Sequence, residues 1–320
     1  MLKNKPSSSE LATTMNKNSP QEWPEPIVRV QSLSKICKGS IPERYIKPLS
    51  DRPSIITSSD DDSSNLPIID LVGLYGDPDT RASTLRQISE ACHEWGFFQV
   101  VNHGVSHDLM DMARETWRKF FDLPMEVKQQ YANSPKTYEG YGSRLGVEKG
   151  ATLDWKEEYL ENALGGEDIG ACLRVCFYPK CPQPELTLGL SSHSDPGGIT
   201  LLLSDEHVYG LQVRKSNNWI TVKPAPYAFI VNIGDQVQVL SNAIYKSVEH
   251  RVIVNSDKER VSLAFFYNPK SDIPIEPAKE LVKPNTPALY TAMTFDEYRL
   301  FIRLRGPCGK SQVESLKSPT

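Results

Sequence analysis

The sequence lacks several patterns that would assign it at once to a class of protein. Its 320 residues contain no run of apolar residues long enough to span a membrane, and the N-terminal segment has no apolar core of a secretory signal. No HExxH motif of zinc hydrolases is present. The six cysteines form no CxxC pair and fit no disulfide framework, so we expect reduced thiols and a cytoplasmic or nuclear location.

A strong excess of charge of either sign is also missing. The formal net charge is −4, with 24% charged and 39% hydrophobic residues, which is typical of a globular protein. This balance predicts no attraction to nucleic acid or to an anionic membrane surface. No obligate protein partner is indicated, and a small molecule is the expected ligand.

Composition divides the chain into four regions. Residues 1–65 are rich in Ser, Pro and Asp and are expected to be mostly disordered, apart from a short helix within Val28–Ile41. Residues 66–165 form a helical region, residues 166–305 a strand-rich region closed by a helix, and residues 306–320 a tail.

Helical periodicity predicts three helices in the second region. They begin near Thr80, at the capping residue Ser106 and at Pro124. The predicted apolar stripes are Leu85, Ile88, Cys92 and Trp95 in the first helix, and Leu109, Met112 or Ala113, Thr116 and Phe120 in the second.

Short strands at close spacing follow and favour a double-sheet jelly roll. The closing helix is predicted from a capping box, Thr294 to Glu297, with its stop at Gly306. The predicted strands are Leu66–Asp70, Phe97–Val101, Leu173–Tyr178, Thr200–Leu203, Leu211–Arg214, Trp219–Val222, Phe229–Ile233, Arg251–Val254 and Val261–Tyr267.

Two histidines and an aspartate form the most informative pattern. His193 and Asp195 are two residues apart in a strand-like stretch, and alternation places both side chains on one face. His250 lies in another strand candidate, Val248–Val252. Two imidazoles and one carboxylate on one side of a ferrous ion leave positions open for a 2-oxo acid and dioxygen. The spacing therefore predicts a non-haem Fe(II) site.

A basic residue and a hydroxyl follow on the next predicted strand. Arg260 and Ser262 share a face there. A guanidinium grips a carboxylate through two charge-assisted hydrogen bonds, and the hydroxyl adds a third. We interpret this pair as the binding site for the distal carboxylate of 2-oxoglutarate. No catalytic side chain beyond the metal centre is expected.

These motifs resemble the plant 2-oxoglutarate-dependent dioxygenase family, which includes flavonol synthase, anthocyanidin synthase, gibberellin oxidases and ACC oxidase. The resemblance covers about residues 66–305. It rests on Trp95–Gly104 (WGFFQVVNHG), Phe177–Pro182 (FYPKCP), Leu190–Asp195 (LSSHSD), Gly210–Val213 (GLQV), Val231–Asp235 (VNIGD), Tyr245–Arg251 (YKSVEHR) and Arg260–Ser262 (RVS).

The resemblance implies an α+β, mainly β fold: a double-stranded β-helix (jelly-roll) core with an N-terminal helical cap. It also implies Fe(II) as cofactor, 2-oxoglutarate and O2 as co-substrates, and ascorbate as a supporting reductant. Tyr178 is implied to lie near the 2-oxoglutarate, beside Arg260 and Ser262.

Two further stretches, Gly189–Gly198 and Tyr298–Arg303, resemble the jasmonate-induced oxygenases within that family. This resemblance implies hydroxylation of jasmonic acid to 12-hydroxyjasmonate, which inactivates the hormone and dampens defence responses. It also implies that Arg174, Arg299 and Arg303 hold the substrate carboxylate. A solvated helix face is the alternative for Arg299 and Arg303, which lie four residues apart.

The sequence departs from the family in two places. Cys176 stands where the family has Asn, and a thiol is the poorer hydrogen-bonding partner for 2-oxoglutarate. After Trp155, the strand and long helices that the family carries are expected to be absent, which would uncover apolar surface. Two alternatives therefore stay open, namely a non-catalytic, truncated decoy isoform and an oxygenase that acts on a flavonoid.

Overall fold

Two β-sheets pack against each other and form the body of the protein. The structure, a computed structural model, describes residues 28–53, 65–133, 139–142, 151–161, 170–305 and 309–317. Its strands are β1 Ile68–Asp70, β2 Phe97–Val101, β3 Gly140–Tyr141, β4 Glu157–Glu161, β5 Gly170–Tyr178, β6 Leu190–His193, β7 Ile199–Leu203, β8 Leu211–Lys215, β9 Asn218–Thr221, β10 Phe229–Ile233, β11 His250–Val252, β12 Arg260–Asn268, β13 Pro274–Ile275 and β14 Met293–Thr294.

The major sheet has the strand order β1-β2-β10-β7-β12-β5-β4-β3, and the minor sheet has the order β6-β11-β8-β9. Within the described sheets, β1 and β2 pair in parallel and the other neighbours are antiparallel. Phe97 and Ile230 of the major sheet pack with Leu211 and Val213 of the minor sheet in one buried cluster. This pair of packed sheets is the expected jelly roll.

Seven α-helices are described around the sheets. Their bounds are α1 Val30–Ile36, α2 Pro78–Glu94, α3 His107–Asp122, α4 Met125–Gln129, α5 Asp235–Leu240, α6 Phe295–Arg305 and α7 Ser311–Glu314. None of these helices combines the length and apolar character that a bilayer crossing requires.

The predicted helix starts agree with the observed caps. Ser106 Oγ accepts a hydrogen bond from the Leu109 backbone N–H at 3.3 Å, as its capping role requires. Thr294 and Glu297 form a reciprocal capping box, with Thr294 Oγ1 accepting from the Glu297 N–H and Glu297 Oε2 accepting from the Thr294 N–H. The helix that follows ends at Arg305, directly before Gly306.

The predicted apolar stripes were partly wrong. Leu85, Leu109 and Met112 are 45%, 55% and 58% exposed. The buried residues of α3 include Met110 and Arg114 instead. Arg114 turns inward because its guanidinium donates to the carbonyl oxygen of Ser204 and pairs with Glu206, and a count of apolar residues does not reveal such a buried polar contact.

The expectation that no strand follows Trp155 was also wrong. β4 begins two residues later and pairs with β5 on one side and β3 on the other. An unpaired β5 edge would leave backbone groups without partners, and β4 satisfies them. Only eight residues, 162–169, separate β4 from β5, and they lie outside the described residues.

The C-terminal segment packs on the body rather than forming a free tail where it is described. Val313 and Leu316 are buried against Tyr290 and Tyr298. Gly309 forms an isolated bridge with His193, at the end of β6. The chain after α6 therefore supports the strand that carries the HxD motif.

Candidate metal centre

The three residues of the predicted triad converge at one end of the minor sheet. His193 ends β6, His250 begins β11, and the two are register partners. The Nε2 atoms of both imidazoles lie 3.6 Å from Asp195 Oδ1. Their potential ligand atoms all lie within 4.8 Å of one another, which is the spacing that a single metal ion requires.

Backbone carbonyls orient both imidazoles. His193 Nδ1 lies 2.8 Å from the carbonyl oxygen of Ser191, and His250 Nδ1 lies 3.2 Å from that of Val248. These contacts assign the ring proton to Nδ1, so each Nε2 carries a lone pair toward the centre. This arrangement fits a divalent metal ion held by two nitrogen atoms and one oxygen atom.

The aspartate is fixed through its other carboxylate oxygen. Asp195 Oδ2 accepts hydrogen bonds from Thr200 Oγ1 at 2.6 Å and from Asn232 Nδ2 at 2.7 Å. The Asp235 backbone N–H donates to the Asp195 carbonyl oxygen at 2.8 Å. Oδ1 is therefore aimed at the histidines, and the carboxylate cannot rotate without breaking two hydrogen bonds.

Burial and charge favour the protonation states that bind a metal. Burial, reinforced by the neighbouring His250, lowers the pKa of His193 to about 3, so its imidazole is neutral at physiological pH. Burial opposes ionisation of Asp195, but the histidines and the bonds from Thr200 and Asn232 keep its pKa below the usual value. A neutral imidazole beside an ionised carboxylate is the donor set that Fe(II) prefers.

A buried guanidinium lies on the neighbouring major sheet. Arg260 is 3% exposed, and its side chain donates to Ser204 Oγ at 2.9 Å and to Ser262 Oγ at 3.3 Å. Its Cζ lies 5.2 Å from the centroid of the Tyr178 ring. No carboxylate of the described residues pairs with it, and its Nε has no hydrogen-bond partner there. A buried cation of this kind requires an anion, and the distal carboxylate of a 2-oxo diacid fits it.

Two glycines allow the chain to approach this guanidinium and the tyrosine closely. A Cβ at Gly210 would lie 3.0 Å from the carbonyl oxygen of Ile253 and 3.1 Å from Arg260 Cδ. A Cβ at Gly189 would lie 2.6 Å from the Tyr178 ring. Substitution of either glycine would displace residues of the anion site.

Comparison with known proteins identifies the family to which this fold belongs. Residues 66–164 match the family described as non-haem dioxygenase in morphine synthesis N-terminal, and residues 169–269 match the 2OG-Fe(II) oxygenase superfamily. Jasmonate-induced oxygenase 2 of Arabidopsis thaliana is 57% identical over 358 residues, which cover 95% of this chain and 96% of the relative. The chain belongs to the 2OG-Fe(II) oxygenase superfamily. It is a 2-oxoglutarate-dependent dioxygenase that uses Fe(II).

Other matches to this oxygenase include a solved structure and more distant relatives. Codeine O-demethylase of Papaver somniferum is 37% identical, and the match covers 85% of this chain and 90% of the relative. A crystal structure described as JOX2 in complex with 2OG, Fe and JA is 56% identical, with a TM-score of 0.85, and the match covers 93% of this chain and all of that one. The rice dioxygenase for auxin oxidation, at 23% identity and a TM-score of 0.68, shares the fold.

The alignment with the first relative is longer than the chain. It extends over 358 residues, whereas the oxygenase has 320. The relative therefore carries residues that have no counterpart in this chain.

The family resemblance implies that three arginines bind the substrate, and these arginines lie in different surroundings. Arg174 lies on β5, on the same face as Tyr178. The charges of Arg174, Arg299 and Asp195 all act on the half-buried Cys172 thiol. Arg299 pairs with Asp296 at 3.3 Å, and its side chain is 36% exposed. The backbone of Arg303 belongs to α6, but its side chain lies outside the described part of the oxygenase.

Cys176 occupies the position between the anion site and β4. It is the register partner of Ser262 on β12 and of Glu158 on β4. Burial, with a hydrogen bond and charge effect from this thiol, raises the pKa of Tyr178 well above its ordinary value, so the tyrosine stays a neutral phenol. Cys176 is thus in contact with the residues that the family resemblance assigns to 2-oxoglutarate.

Sequence reasoning missed the residues that hold the ligands in place. Thr200 and Asn232 fix Asp195, Ser204 supports Arg260, and Lys156 pairs with Glu158 at 2.7 Å near Arg174. Asn232 was inside a quoted motif, VNIGD, which was the available signal. Ser204 and Lys156 lie in no motif. His103, in the Asn-His-Gly turn, is a packing residue: its ring contacts Phe229, and its Nε2 lies 2.9 Å from the Tyr227 carbonyl oxygen.

Proposed function

We propose that this oxygenase hydroxylates jasmonic acid and that 12-hydroxyjasmonate is the product. The observation that carries the proposal is the likeness, at 56% identity and a TM-score of 0.85, to the crystal structure of JOX2 in complex with 2OG, Fe and JA. Four jasmonate-induced oxygenases of Arabidopsis thaliana are 52–57% identical to the chain. The reaction would inactivate the hormone and dampen defence responses.

His193, Asp195 and His250 would hold the iron. Iron and 2-oxoglutarate, when bound, supply the oxidation of an unactivated C–H bond by O2, with release of succinate and CO2. The contribution of the chain is to present two Nε2 atoms and one Oδ1 atom on one side of the ion. The opposite side then stays open to the co-substrates.

Arg260, Ser262 and Tyr178 would bind the distal carboxylate of 2-oxoglutarate. The guanidinium already lies within hydrogen-bond distance of Ser262 and is held by Ser204, so little ordering is needed when the anion enters. Burial removes competing water and strengthens the charge-assisted bonds.

Arg174, Arg299 and Arg303 would hold the substrate carboxylate. Arg174 has the strongest support of this set, because it lies on the same face of β5 as Tyr178 and its buried Nε has no hydrogen-bond partner among the described residues. Phe265 of β12 would contribute to the apolar part of the pocket. A flavonoid lacks the carboxylate that these cations would serve.

A second candidate function is binding of iron and hormone without turnover. The observation in its favour is the length of the alignment, which shows that a relative carries residues absent from this chain. The metal and anion sites lie on β5, β6, the segment just beyond β6, β11 and β12, so a shortened chain retains them. We also propose that the protein is cytoplasmic or nuclear. We keep as a proposal the division of the chain into four regions, residues 1–65, 66–165, 166–305 and 306–320.

Anaerobic reconstitution of the full chain with Fe(II), 2-oxoglutarate and ascorbate, followed by admission of O2, tests the function. Jasmonic acid is expected to give a product heavier by one oxygen atom, detected by mass spectrometry, with equimolar succinate. Binding of jasmonic acid without succinate would support the non-catalytic candidate. Succinate formation that depends on a flavonoid but not on jasmonic acid would contradict the proposal.

A further inference from the structure

A lysine of the N-terminal segment, residues 28–53, reaches the strand that carries His193. Lys47 Nζ donates to Asp154 Oδ1 at 2.8 Å and to Ser191 Oγ at 3.0 Å. Ser191 Oγ donates to the same Asp154 oxygen at 2.6 Å, so the three side chains close a triangle of hydrogen bonds. The side chains of Lys47 and Asp154 are 5% and 14% exposed. This triangle, which we call the lysine clamp, therefore lies in the interior and joins three distant segments of the chain.

The segment that carries Lys47 is itself fixed on the body of the protein. The Lys47 N–H donates to the Leu186 carbonyl oxygen at 2.8 Å, and Arg52 Nε donates to the Lys47 carbonyl oxygen at 2.8 Å. Tyr45 is buried and packs edge-to-face on Trp155, with ring centroids 5.3 Å apart. Because Trp155 adjoins the aspartate of the lysine clamp, the same packing brings the ammonium and its carboxylate together.

Ser191 lies at an irregularity of the minor sheet. His193 pairs with His250 and Leu190 pairs with Val252, so two residues of β6 face a single residue of β11 between these pairs. Such a β-bulge interrupts the regular ladder of hydrogen bonds and re-aims nearby side chains. The Ser191 carbonyl oxygen accepts the hydrogen bond from His193 Nδ1 at 2.8 Å. The direction of that oxygen, and hence the orientation of the imidazole, depends on how the bulge is held.

Charge pairing keeps the lysine clamp assembled in the interior. Burial opposes ionisation of Asp154, but the charges of Lys47 and Lys156 and the hydrogen bonds of the clamp keep its pKa below the ordinary value. Removal of the Lys47 ammonium would leave this carboxylate buried without the counter-charge that it contacts. The hydroxyl of Ser191 accepts from the cation and donates to the anion, so its position is set from both sides.

We propose that Lys47 is a positioning residue of the metal centre, which holds the β-bulge of β6 so that His193 presents Nε2 to Fe(II). The inference rests on the proposed function only through the assignment of His193 as an iron ligand. Lys47 acts through Ser191, because its ammonium fixes the hydroxyl of that residue and the carbonyl oxygen of the same residue fixes the imidazole. The N-terminal segment thereby takes part in iron binding from outside the triad.

Anaerobic titration of the full chain with Fe(II) tests the proposal. Lys47→Met keeps the aliphatic chain but removes the ammonium, and it is expected to weaken Fe(II) binding about tenfold, as loss of a group that orients a metal ligand does. Ser191→Ala removes only the hydroxyl and is expected to have an effect of the same size. Because both changes break one route, Lys47→Met is expected to add little in the Ser191→Ala protein. Lys38→Met, at an exposed lysine of the same segment, is the matched control and is expected to leave the affinity unchanged.

Absorption of the Co(II)-substituted protein separates positioning from stability. The visible bands of bound Co(II) report the geometry of its ligands. Lys47→Met and Ser191→Ala are therefore expected to shift these bands in protein that has bound a full equivalent of metal. A residue that merely stabilises the fold would lower the melting temperature and leave the bands of the loaded protein unchanged.

The outcomes separate failure of this inference from failure of the proposed function. Wild-type Fe(II) affinity and unchanged Co(II) bands in Lys47→Met and in Ser191→Ala would overturn the inference and leave the function standing. A loss from Lys47→Met that persists in full in the Ser191→Ala protein would also overturn it, because the effect would then bypass the lysine clamp. Wild-type protein that binds no Fe(II) would overturn the ligand assignment and, with it, the proposed function. If Lys47→Met does not fold, Ser191→Ala, which removes only a hydroxyl, still gives both measurements and decides the question.

Discussion

His193 and His250 are register partners on two adjacent strands, and their ring centroids lie 4.3 Å apart. The backbone hydrogen bonds of the minor sheet therefore set the separation of the two imidazoles. Asp195 comes from the segment just beyond β6 and is fixed from the other side by Thr200 and Asn232. The metal site joins both sheets, because those two residues belong to β7 and β10 of the major sheet.

Replacement of Asp195 by Ala is expected to abolish turnover and stoichiometric Fe(II) binding. The variant lacks the only carboxylate in the described triad, and two imidazoles alone hold Fe(II) weakly. Asn232→Ala is expected to weaken iron binding by about 10- to 100-fold, because the Asp195 carboxylate loses one of its two orienting bonds. Anaerobic titration of the purified variants with Fe(II) measures both effects. Full activity of purified Asp195→Ala would refute the ligand assignment.

Replacement of Arg260 by Gln is expected to raise KM for 2-oxoglutarate by about 10- to 100-fold. The reason is the loss of a charge-assisted pair, which contributes roughly 1.5–3 kcal/mol. Ser262→Ala removes one neutral donor and is expected to have a smaller effect. Initial rates at varied 2-oxoglutarate give the comparison. Arg118→Gln, which removes a half-exposed cation paired with Asp205, serves as the control and is expected to leave KM for 2-oxoglutarate unchanged.

Replacement of Cys176 by Asn is expected to lower KM for 2-oxoglutarate. The side chain lies between Ser262 and Glu158, and an amide supplies the hydrogen bonds that a thiol supplies poorly. A decrease of about 3- to 10-fold corresponds to one neutral hydrogen bond. Cys176→Ser, a small hydroxyl at the same position, is the matched comparison. An increase in KM for the Asn variant alone would show that this pocket has adapted to the smaller thiol.

The metal and anion sites could be predicted from the sequence because their geometry is local. Alternation along a strand places His193 with Asp195, and Arg260 with Ser262, without knowledge of the rest of the chain. Strands β2 and β10 were also predicted with their observed bounds, because short β-branched and aromatic runs end at turns. The chemistry of the donor atoms then limits the function to few classes.

The residues that orient the metal ligands and the Arg260 guanidinium could not be predicted, because they come from segments that are distant in the sequence. Ser204 and Arg260 form a hydrogen bond although they are 56 positions apart in the sequence, and Asn232 and Asp195 do so at a separation of 37. The segment that forms β4, EEYLE, has three glutamates, which are depleted in strands, and tertiary pairing overrides that preference. The same pairing buries Glu158 beside Arg174, a contact that no local pattern indicates.

Two buried thiols are expected to make stability depend on pH in the alkaline range. Burial raises the pKa of Cys92 and of Cys181 from 9.0 to about 11. The unfolded chain loses these protons near pH 9, whereas the native chain keeps them, so stability falls as pH rises from about 9 to about 11. Urea unfolding at pH 8 and at pH 10 measures the loss, and Cys92→Ala is expected to reduce it. Rapid alkylation of either thiol in native protein at pH 8 would contradict the burial.

Removal of the chain after Arg305 is expected to lower both thermal stability and iron affinity. Gly309 accepts a hydrogen bond from the Ser194 N–H at 3.3 Å and donates to the Ser192 carbonyl oxygen at 3.1 Å, so it holds the backbone on both sides of His193. Its φ is +54°, and a Cβ there would lie 2.8 Å from Glu249 Oε1, so Gly309→Val is expected to displace the segment. Iron titration and thermal melting of both variants measure the two effects.

Leu316→Ala tests whether the packing of residues 309–317 affects Fe(II) affinity as well as thermal stability. Leu316 is 4% exposed, and truncation of a buried leucine costs about 2–5 kcal/mol. If the segment positions β6, loss of its anchor should weaken Fe(II) binding even at temperatures well below the melting point. Leu289→Ala, which truncates a leucine that is 43% exposed, should change neither quantity appreciably. Melting points that fall while iron affinity stays at the wild-type value would assign the segment to stability alone.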